Sequence, residues 1–426
     1  MKSISKLIST FFTSFYNFHF ILDNRSKMLS DRLSNVEHAP PDAIFGVSQK
    51  FNASPLKEKY LLSVGVYRTE ESQPHVFSAV REAESRIHHK YSKDYLPMTG
   101  CPTFLRAARQ LLFTNELLDK YGDRIGSVQS CAGTGALYLC SRFAKKFLNN
   151  PKVLLSNPMW PNYRLIFGDN GHEIGLYPWL KQDCTLDIDG FCEALEKAPR
   201  NCLVVIQVCA HNPTGVDPTP DQWQIIYRVA KECGHLLCFD FAYMGFASGD
   251  INVDAQPVRD YLEWGIPFLC CFSFSKCMGL YGERIGVCHA FCSSKTDAEN
   301  VRSQIALLGR ETWSVCPQNG SYIAAEVLQD EELHRKWIEE LQCISGRIRN
   351  IRAKLCDLLE EKTGRSWEFL RKQRGMFAHT GLTPEQVDKL ADQGVFIPRS
   401  GRVSIPALNN NNVEFIANAI AAAVAD

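Results

Sequence analysis

The sequence predicts an α/β fold built on a mostly parallel sheet covered on both sides, and three observations carry that reading. Between about Cys101 and Lys295, short apolar runs alternate with helical patterns, the order that joins parallel strands through crossover helices. The runs are rich in Val, Leu, Ile, Cys and Phe, as strands buried on both faces are. A length of 426 residues, 45% hydrophobic and 22% charged, supplies ample core and excludes a disordered, collagen-like or membrane-bundle chain. That length points to two or three domains, or to two domains sharing one active site.

In chain order, residues 1–30 read as an address. Lys2, Lys6, Arg25 and Lys27 stand against a single acid, Asp23, in a stretch rich in Ser and Thr. Ile4, Leu7, Ile8, Phe11, Phe15, Phe18 and Leu22 recur at helical spacing. Such a leader fits a mitochondrial transit peptide and a place in the mitochondrial matrix; Met28 offers an alternative start that would leave the protein cytoplasmic. Ser, Thr, Asn17 and His19 interrupt the run before the roughly 20 apolar residues of a membrane span. Strands are expected at Val153–Ser156, Leu203–Val208, Leu236–Phe239 and Phe268–Phe274, with helices at Gly190–Ala198 and Pro220–Glu232 between them. Pro220 suits a first helical turn. Trp337, Leu341, Ile344, Ile348, Ile351, Leu355 and Leu358 mark a long amphipathic helix over Glu331–Glu361, long enough to connect two domains. Met376–Phe377, Val395–Ile397 and Val403–Ile405 read as short strands, and Asn412–Val424 as a closing helix.

Lys and Arg total 47, as do Asp and Glu. A net charge of zero argues against a nucleic-acid partner. Seventeen cysteines form an odd set, with no pair at the C-x-x-C spacing of a zinc ribbon or redox site, so no metal is expected. They suit a reducing compartment, and Cys270 and Cys271 read as small core residues.

Chemistry concentrates around Lys276, which follows the apolar run ending at Phe274. An ammonium there is costly without a task. A desolvated lysine amine can form a Schiff base with a carbonyl, the way pyridoxal phosphate is held. Each further need of that cofactor has a candidate. Asp240, at a strand end, would keep the pyridine nitrogen protonated, although a residue there can equally cap a turn. Tyr243 and Asn212 would hydrogen-bond the phenolic oxygen. Gly133-Thr134-Gly135 offers a glycine turn into a helix start for the phosphate, with Ser273 and Arg284 adding a hydroxyl and a charge. Trp160 would stack on the ring. Pro213 is a candidate for a cis bond.

His211-Asn212-Pro213-Thr214-Gly215-Val216-Asp217-Pro218, the run Ala242–Asp250, and Ser273-Phe274-Ser275-Lys276 through Gly286 resemble the aspartate aminotransferase family, from about Pro40 to the C-terminus. Pro40–Val47 resembles the start of the mature mitochondrial type. The resemblance implies fold-type I of pyridoxal-phosphate enzymes. Its large cofactor-binding domain would span residues 73–340, and a smaller α+β domain would combine the arm and segment at 31–72 with residues 341–426. It implies Lys276 as the Schiff-base lysine and proton shuttle, Asp240 at the pyridine nitrogen, and Tyr243 and Asn212 at the phenolic oxygen. By the same resemblance Gly133, Thr134, Ser273 and Arg284 would form the phosphate cup, and Trp160 would stack on the ring. The resemblance further implies a backbone contact from Gly65 to substrate and Arg402 as the holder of the α-carboxylate. A homodimer is implied, with Tyr95 reaching the neighbouring subunit's phosphate and Arg310 gripping the side-chain carboxylate from the neighbouring subunit. An arginine at each end selects a dicarboxylic amino acid.

The sequence departs from the family pattern at supporting positions. Tyr163 and Gln207 replace histidines near Asp240. Phe272 and Met244 replace glutamines, Ala132 stands in the phosphate loop where Gly or Ser is usual, and Val315-Cys316 replaces Asn-Pro beyond Arg310. Tyr163 is expected to donate a hydrogen bond to Asp240 without becoming cationic. The expected activity is ping-pong transamination between L-aspartate and 2-oxoglutarate. The alternatives are an aminotransferase of broader or aromatic, kynurenine-like specificity, and a catalytically weak dimeric relative.

Overall fold

The computed structural model describes residues 33–39 and 45–425. Contacts divide the chain into two units, residues 1–42 and 43–426. In the first, the Val36 N–H donates to the Leu33 carbonyl at 3.2 Å. The expected transit peptide at 1–30 lies outside the described residues, as do Pro40–Ile44 of the amino-terminal motif.

The second unit is organised by a seven-stranded sheet. In chain order its strands are β2 (Ile125–Cys131), β3 (Val153–Asn157), β4 (Ile174–Pro178), β5 (Leu203–Gln207), β6 (Leu236–Phe241), β7 (Phe268–Ser273) and β8 (Ile285–Phe291); β1, Tyr60–Leu61, lies outside this sheet. Their spatial order is β2-β8-β7-β6-β5-β3-β4. β8 runs antiparallel to both neighbours, and the other pairings are parallel. β5 and β7 are buried along their whole length, in keeping with helices on both faces.

The four expected strands form with ends shifted by one or two residues. β2, β4 and β8 were not expected. β2 reads Ile-Gly-Ser-Val-Gln-Ser-Cys, too polar for a buried strand on pattern alone. Its polar groups are buried because each has a partner. Ser127 Oγ lies 2.8 Å from His289 Nδ1 on β8, Gln129 donates to the Pro317 carbonyl and accepts from the Cys101 N–H, and Ser130 donates to the Ala132 carbonyl. Satisfied polar groups of this kind can be buried at little net cost.

The helix at Pro220–Cys233 starts on a reciprocal capping box between Thr219 and Gln222, with Pro220 in its first turn. The helix beginning at Ile188 is capped by Asp187. Glu331–Thr363 forms one helix of 33 residues, capped by Asp330 and ended by the left-handed Gly364. Its buried stripe follows the expected spacing, except that Leu359 rather than Leu358 is fully buried. Trp337 Nε1 on this stripe donates to the Cys277 carbonyl at 2.6 Å, tying the long helix to the turn that carries Lys276. Two small sheets join distant parts of the chain. β1 pairs in parallel with β10 (Val395–Phe396), and β9 (Phe377–His379) pairs antiparallel with β11 (Arg402–Ser404).

All seventeen cysteines are free thiols. Cys140, Cys238 and Cys271, from one helix and two strands, bring their sulfurs within 4.8 Å of one another in the core, an encounter that sequence spacing does not reveal.

Gly286 opens β8 against the start of the Ala132–Phe147 helix, where an added Cβ would stand 2.6 Å from the Ala132 carbonyl carbon. Gly286→Ala is therefore expected to destabilise the fold by about 1–3 kcal/mol, read as a lower urea midpoint. An unchanged midpoint would show that this junction yields freely.

Candidate active site

The strands deliver their chemistry to one edge of the sheet. β6 carries Asp240 near its C-terminal end, β7 ends at Ser273 ahead of Lys276, and β5 ends at Gln207 ahead of Asn212. β2 ends at Cys131, where the Ala132–Phe147 helix begins, and the antiparallel β8 starts immediately after Arg284. There a cavity of about 300 Å³ opens, lined by Asp240, Lys276, Tyr243, Asn212, Arg402 and Trp160 among others. Ligand crevices of open α/β sheets form at this edge.

Asp240 differs from the other buried aspartates. Asp217 accepts the N–H groups of Ala210 and His211 at 2.8 and 3.0 Å. Asp254 accepts those of Gly245, Ala247 and Ser248 at 2.7, 3.2 and 3.0 Å. Both are structural loop holders. Asp240 receives one hydrogen bond among the described residues, from the Tyr163 hydroxyl to Oδ2 at 2.5 Å. Burial pushes its carboxyl up to about 6, while Tyr163 and Lys276 pull in the opposite direction. A buried carboxylate with Oδ1 uncommitted in a cavity is suited to a cationic ring nitrogen.

Lys276 Nζ lies 5.1 Å from the centre of the Tyr243 ring. Burial lowers its pKa and Asp240 opposes that shift, so the neutral, nucleophilic amine is closer to reach than on a surface lysine. Asn212 links three groups. Its Nδ2 donates to the Tyr243 hydroxyl at 3.3 Å and its Oδ1 accepts from Arg402 Nη1 at 2.9 Å. Gln207 holds its backbone on both sides, accepting from the N–H at 2.7 Å and donating to the carbonyl at 3.2 Å. The bond between Asn212 and Pro213 is cis, as expected.

Arg402 is 3% exposed. Nη2 donates to the Ser63 carbonyl at 2.5 Å, and the guanidinium lies 4.1 Å from the centre of the Phe377 ring. Nε has no partner, and no carboxylate neutralises the group among the described residues, so burial lowers its pKa to about 10. A buried guanidinium with donors to spare is an anion site. Gly65 lets the chain pass close by, since a Cβ there would meet Phe377 Cζ at 2.7 Å.

The Ala132–Phe147 helix starts without a side-chain cap. Its first N–H groups, with Gly133, Thr134, Ser273 and Arg284 around them, line the cavity and suit a phosphate. The expected glycine turn is corrected in one respect. The left-handed residue is Ala132, with φ 59°, and not Gly133; Gly133 is instead needed for space, because a Cβ would meet Ser273 Cβ at 3.2 Å.

Two expected residues are not brought to this cavity within one chain. Tyr95 is 86% exposed, and Arg310 is exposed in the last turn of the Lys295–Trp313 helix, bonded to Ser314. The cavity also draws in residues to which sequence reasoning assigned no role. Ser275 accepts from Arg284 Nη1 at 3.4 Å, Tyr281 accepts the Tyr67 N–H at 3.1 Å, and Phe377 backs Arg402. Ser275 and Tyr281 belong to the Ser273–Gly286 motif; Phe377 carried no signal beyond that of a short strand. The donor set as a whole fits pyridoxal phosphate: a carboxylate for the ring nitrogen, an amine for the carbonyl, hydroxyl and amide groups for the phenolic oxygen, and a helix start for the phosphate.

Residues 57–420 match the model of the aminotransferase class I and II family. The chain belongs to that family. It is 39% identical over 397 residues to the mitochondrial aspartate aminotransferase of Dictyostelium discoideum, covering 92% of this chain and 93% of that one. The structure of aspartate aminotransferase from Saccharomyces cerevisiae cytoplasm superposes with a TM-score of 0.89 at 38% identity, covering 92% of this aminotransferase and 98% of the yeast chain. An aromatic-amino-acid aminotransferase from Burkholderia pseudomallei, covalently bound to pyridoxal phosphate, also gives 0.89, at 36% identity and with 92% and 99% covered.

The lowered pKa of Lys276 has a direct test on the cofactor-free chain. An amine-directed reagent at neutral pH is expected to modify Lys276 ahead of the surface lysines in peptide mapping, with a labelling midpoint below the ordinary lysine value. Labelling no faster than at exposed Lys197 would count against a desolvated amine.

Proposed function

We propose that this aminotransferase exchanges the amino group between L-aspartate and 2-oxoglutarate, giving oxaloacetate and L-glutamate with pyridoxal phosphate as cofactor. The observation that carries the reading is Arg402, a buried guanidinium with an unpartnered Nε that lines the same cavity as the amine of Lys276 and the carboxylate of Asp240. When bound, pyridoxal phosphate supplies a carbonyl for the amino group and an electron sink for negative charge at the substrate Cα.

The residues divide the work. Lys276 would hold the cofactor's carbonyl and then carry the proton removed from the substrate Cα. Asp240 would keep the ring nitrogen charged, Tyr243 and Asn212 would bond the phenolic oxygen, and Trp160 would cover the ring. Gly133, Thr134, Ser273 and Arg284 would hold the phosphate. Arg402 would take the α-carboxylate in a fork of two hydrogen bonds, with Gly65 contributing a backbone contact. The exposure of Tyr95 and Arg310 supports a homodimer in which each serves the neighbour's site, Tyr95 at the phosphate and Arg310 at the side-chain carboxylate. Residues 73–340 would then be the cofactor-binding domain, and 31–72 with 341–426 the smaller one, a division supported by the pairings of β1 with β10 and of β9 with β11. The basic leader favours the mitochondrial matrix; relatives include both mitochondrial and cytoplasmic enzymes.

A broader, aromatic specificity is the second reading, favoured by the equal TM-score of the Burkholderia aromatic enzyme and by Val315 and Cys316 beyond Arg310. A substrate panel separates the two.

In absorption spectra, L-aspartate is expected to shift the bound-cofactor band and 2-oxoglutarate to return it, with ping-pong steady-state kinetics. A band that ignores aspartate, or rates that require a ternary complex, would overturn the assignment. The shared site has its own test. Lys276→Ala and Arg310→Ala chains, each nearly inactive alone, should regain about a quarter of wild-type activity when mixed and reassociated, because one site of each heterodimer is intact. No recovery in demonstrated heterodimers would rule out the exchange of Arg310.

A further inference from the structure

Among the buried carboxylates of the sheet edge, Asp240 alone is held by a side chain from a distant segment. We infer that Tyr163 is the positioning residue for Asp240: its hydroxyl keeps that carboxylate ionised with one oxygen uncommitted, and so sets the pH below which the chain loses its hold on the cofactor. The inference rests on the reading of the cavity as a pyridoxal-phosphate site.

Tyr163 is fully buried and its hydroxyl lies 2.5 Å from Asp240 Oδ2. It precedes a single π-helical turn at Arg164–Gly168, a backbone irregularity frequent at functional sites. Its ring packs edge-on against Trp160, with centroids 5.4 Å apart and an interplanar angle of 84°. One short segment therefore presents both the aromatic wall of the cavity and the donor to the carboxylate. Burial and the neighbouring carboxylate push the Tyr163 phenol well above its ordinary range, so it stays protonated wherever the protein is folded. An imidazole donor would change charge between about pH 5 and 8.

The groups facing Asp240 from the surrounding elements are few. Lys276 stands after β7 and Tyr243 after β6. Cys238 lies two residues earlier on β6, with Cys209 beyond β5 and Cys270 on β7. The directly paired residues are Gln207 on β5, which is neutral, and Cys271 on β7. Lys276 is the cation that acts on Asp240, and its amine is engaged in the proposed reaction; Arg284 and Arg402 line the same cavity and are assigned to the phosphate and the α-carboxylate. Tyr163 is thus the support that does not change during turnover. A hydrogen bond to a charged group is worth about one to two pKa units. Removing it raises the Asp240 pKa further above its unfolded value, so the neutral acid, which cannot pair with a ring cation, appears at higher pH.

The test is the affinity of the full chain for pyridoxal phosphate, titrated by absorbance across about pH 5 to 8. It compares wild type, Tyr163→Phe, Asp240→Asn and the double variant. The cofactor's own phosphate titrates alike in all four, so differences between profiles report Asp240. Wild-type affinity should fall on the acid side. In Tyr163→Phe that fall should begin about one pH unit higher, a roughly tenfold loss on the falling limb that closes toward pH 8. Asp240→Asn should bind weakly at every pH, and adding Tyr163→Phe to it should change nothing further. If Tyr163→Phe does not fold, the profile of Asp240→Asn decides: an acid fall like that of wild type would overturn the inference, and its absence would support it. Superimposed profiles for wild type and Tyr163→Phe, or a uniform loss at every pH, would overturn it alone. No binding to wild type would overturn the cofactor reading and this inference with it.

Discussion

A carboxylate buried at the end of a central strand, held by a single phenolic hydroxyl, is the interaction around which this structure is arranged. Asp240 cannot be placed there cheaply. Its position requires β6 to be flanked on both sides, Tyr163 to be brought across from the segment after β3, and Lys276 to stand near enough to favour the charge. The sheet supplies the rigidity, and the loops at its C-terminal edge supply the groups. The contrast with Asp217 and Asp254, whose oxygens are occupied by backbone N–H groups, separates a carboxylate with an oxygen uncommitted from carboxylates that hold loops.

A second constraint links the sheet to the terminal parts of the chain. Arg402 belongs to a small antiparallel pair far from the large sheet in sequence, yet its guanidinium reaches Asn212 and the Ser63 carbonyl and lies against Phe377. Asn212 in turn reaches Tyr243 and is held by Gln207. A substrate anion at Arg402 is therefore mechanically close to the groups proposed to bond the cofactor, with little room for slack at Gly65 or Gly133. Precise placement of this kind, more than the number of charges, is what a transferase site requires.

Much of this was legible from residues. A lysine directly after a buried apolar run, an aspartate at a strand end and a glycine-bearing helix start fall in the order that a phosphorylated aldehyde cofactor needs, and the long motifs around Asn212 and Lys276 made the family resemblance specific. The polar strand β2 was not legible, because Ser127, Gln129 and Ser130 become core residues only once His289, Pro317 and Ala132 arrive as partners. The expected glycine turn at the helix start has its left-handed residue at Ala132 and not at a glycine. Glycine is the usual choice for positive φ, and nothing in the local sequence marks Ala132 for it. Tyr95 and Arg310 were named from the motifs, while their exposure in one chain is a fact of three dimensions.

By itself the sequence determined the alternation of strand and helix, the long connecting helix, and the identity of the groups able to do the chemistry, because these follow from local periodicity and from motifs contiguous in the chain. The hydrogen bond from Tyr163 to Asp240 was also expected from the sequence and is present; tertiary structure decided which carboxylate was left with an oxygen to spare, which guanidinium was buried without a counter-charge, and that Phe377 and Gln207 back Arg402 and Asn212. Those outcomes depend on pairs separated by tens to hundreds of residues, and on burial, which alone converts an ordinary Asp, Lys or Arg into a group with a shifted charge and a task.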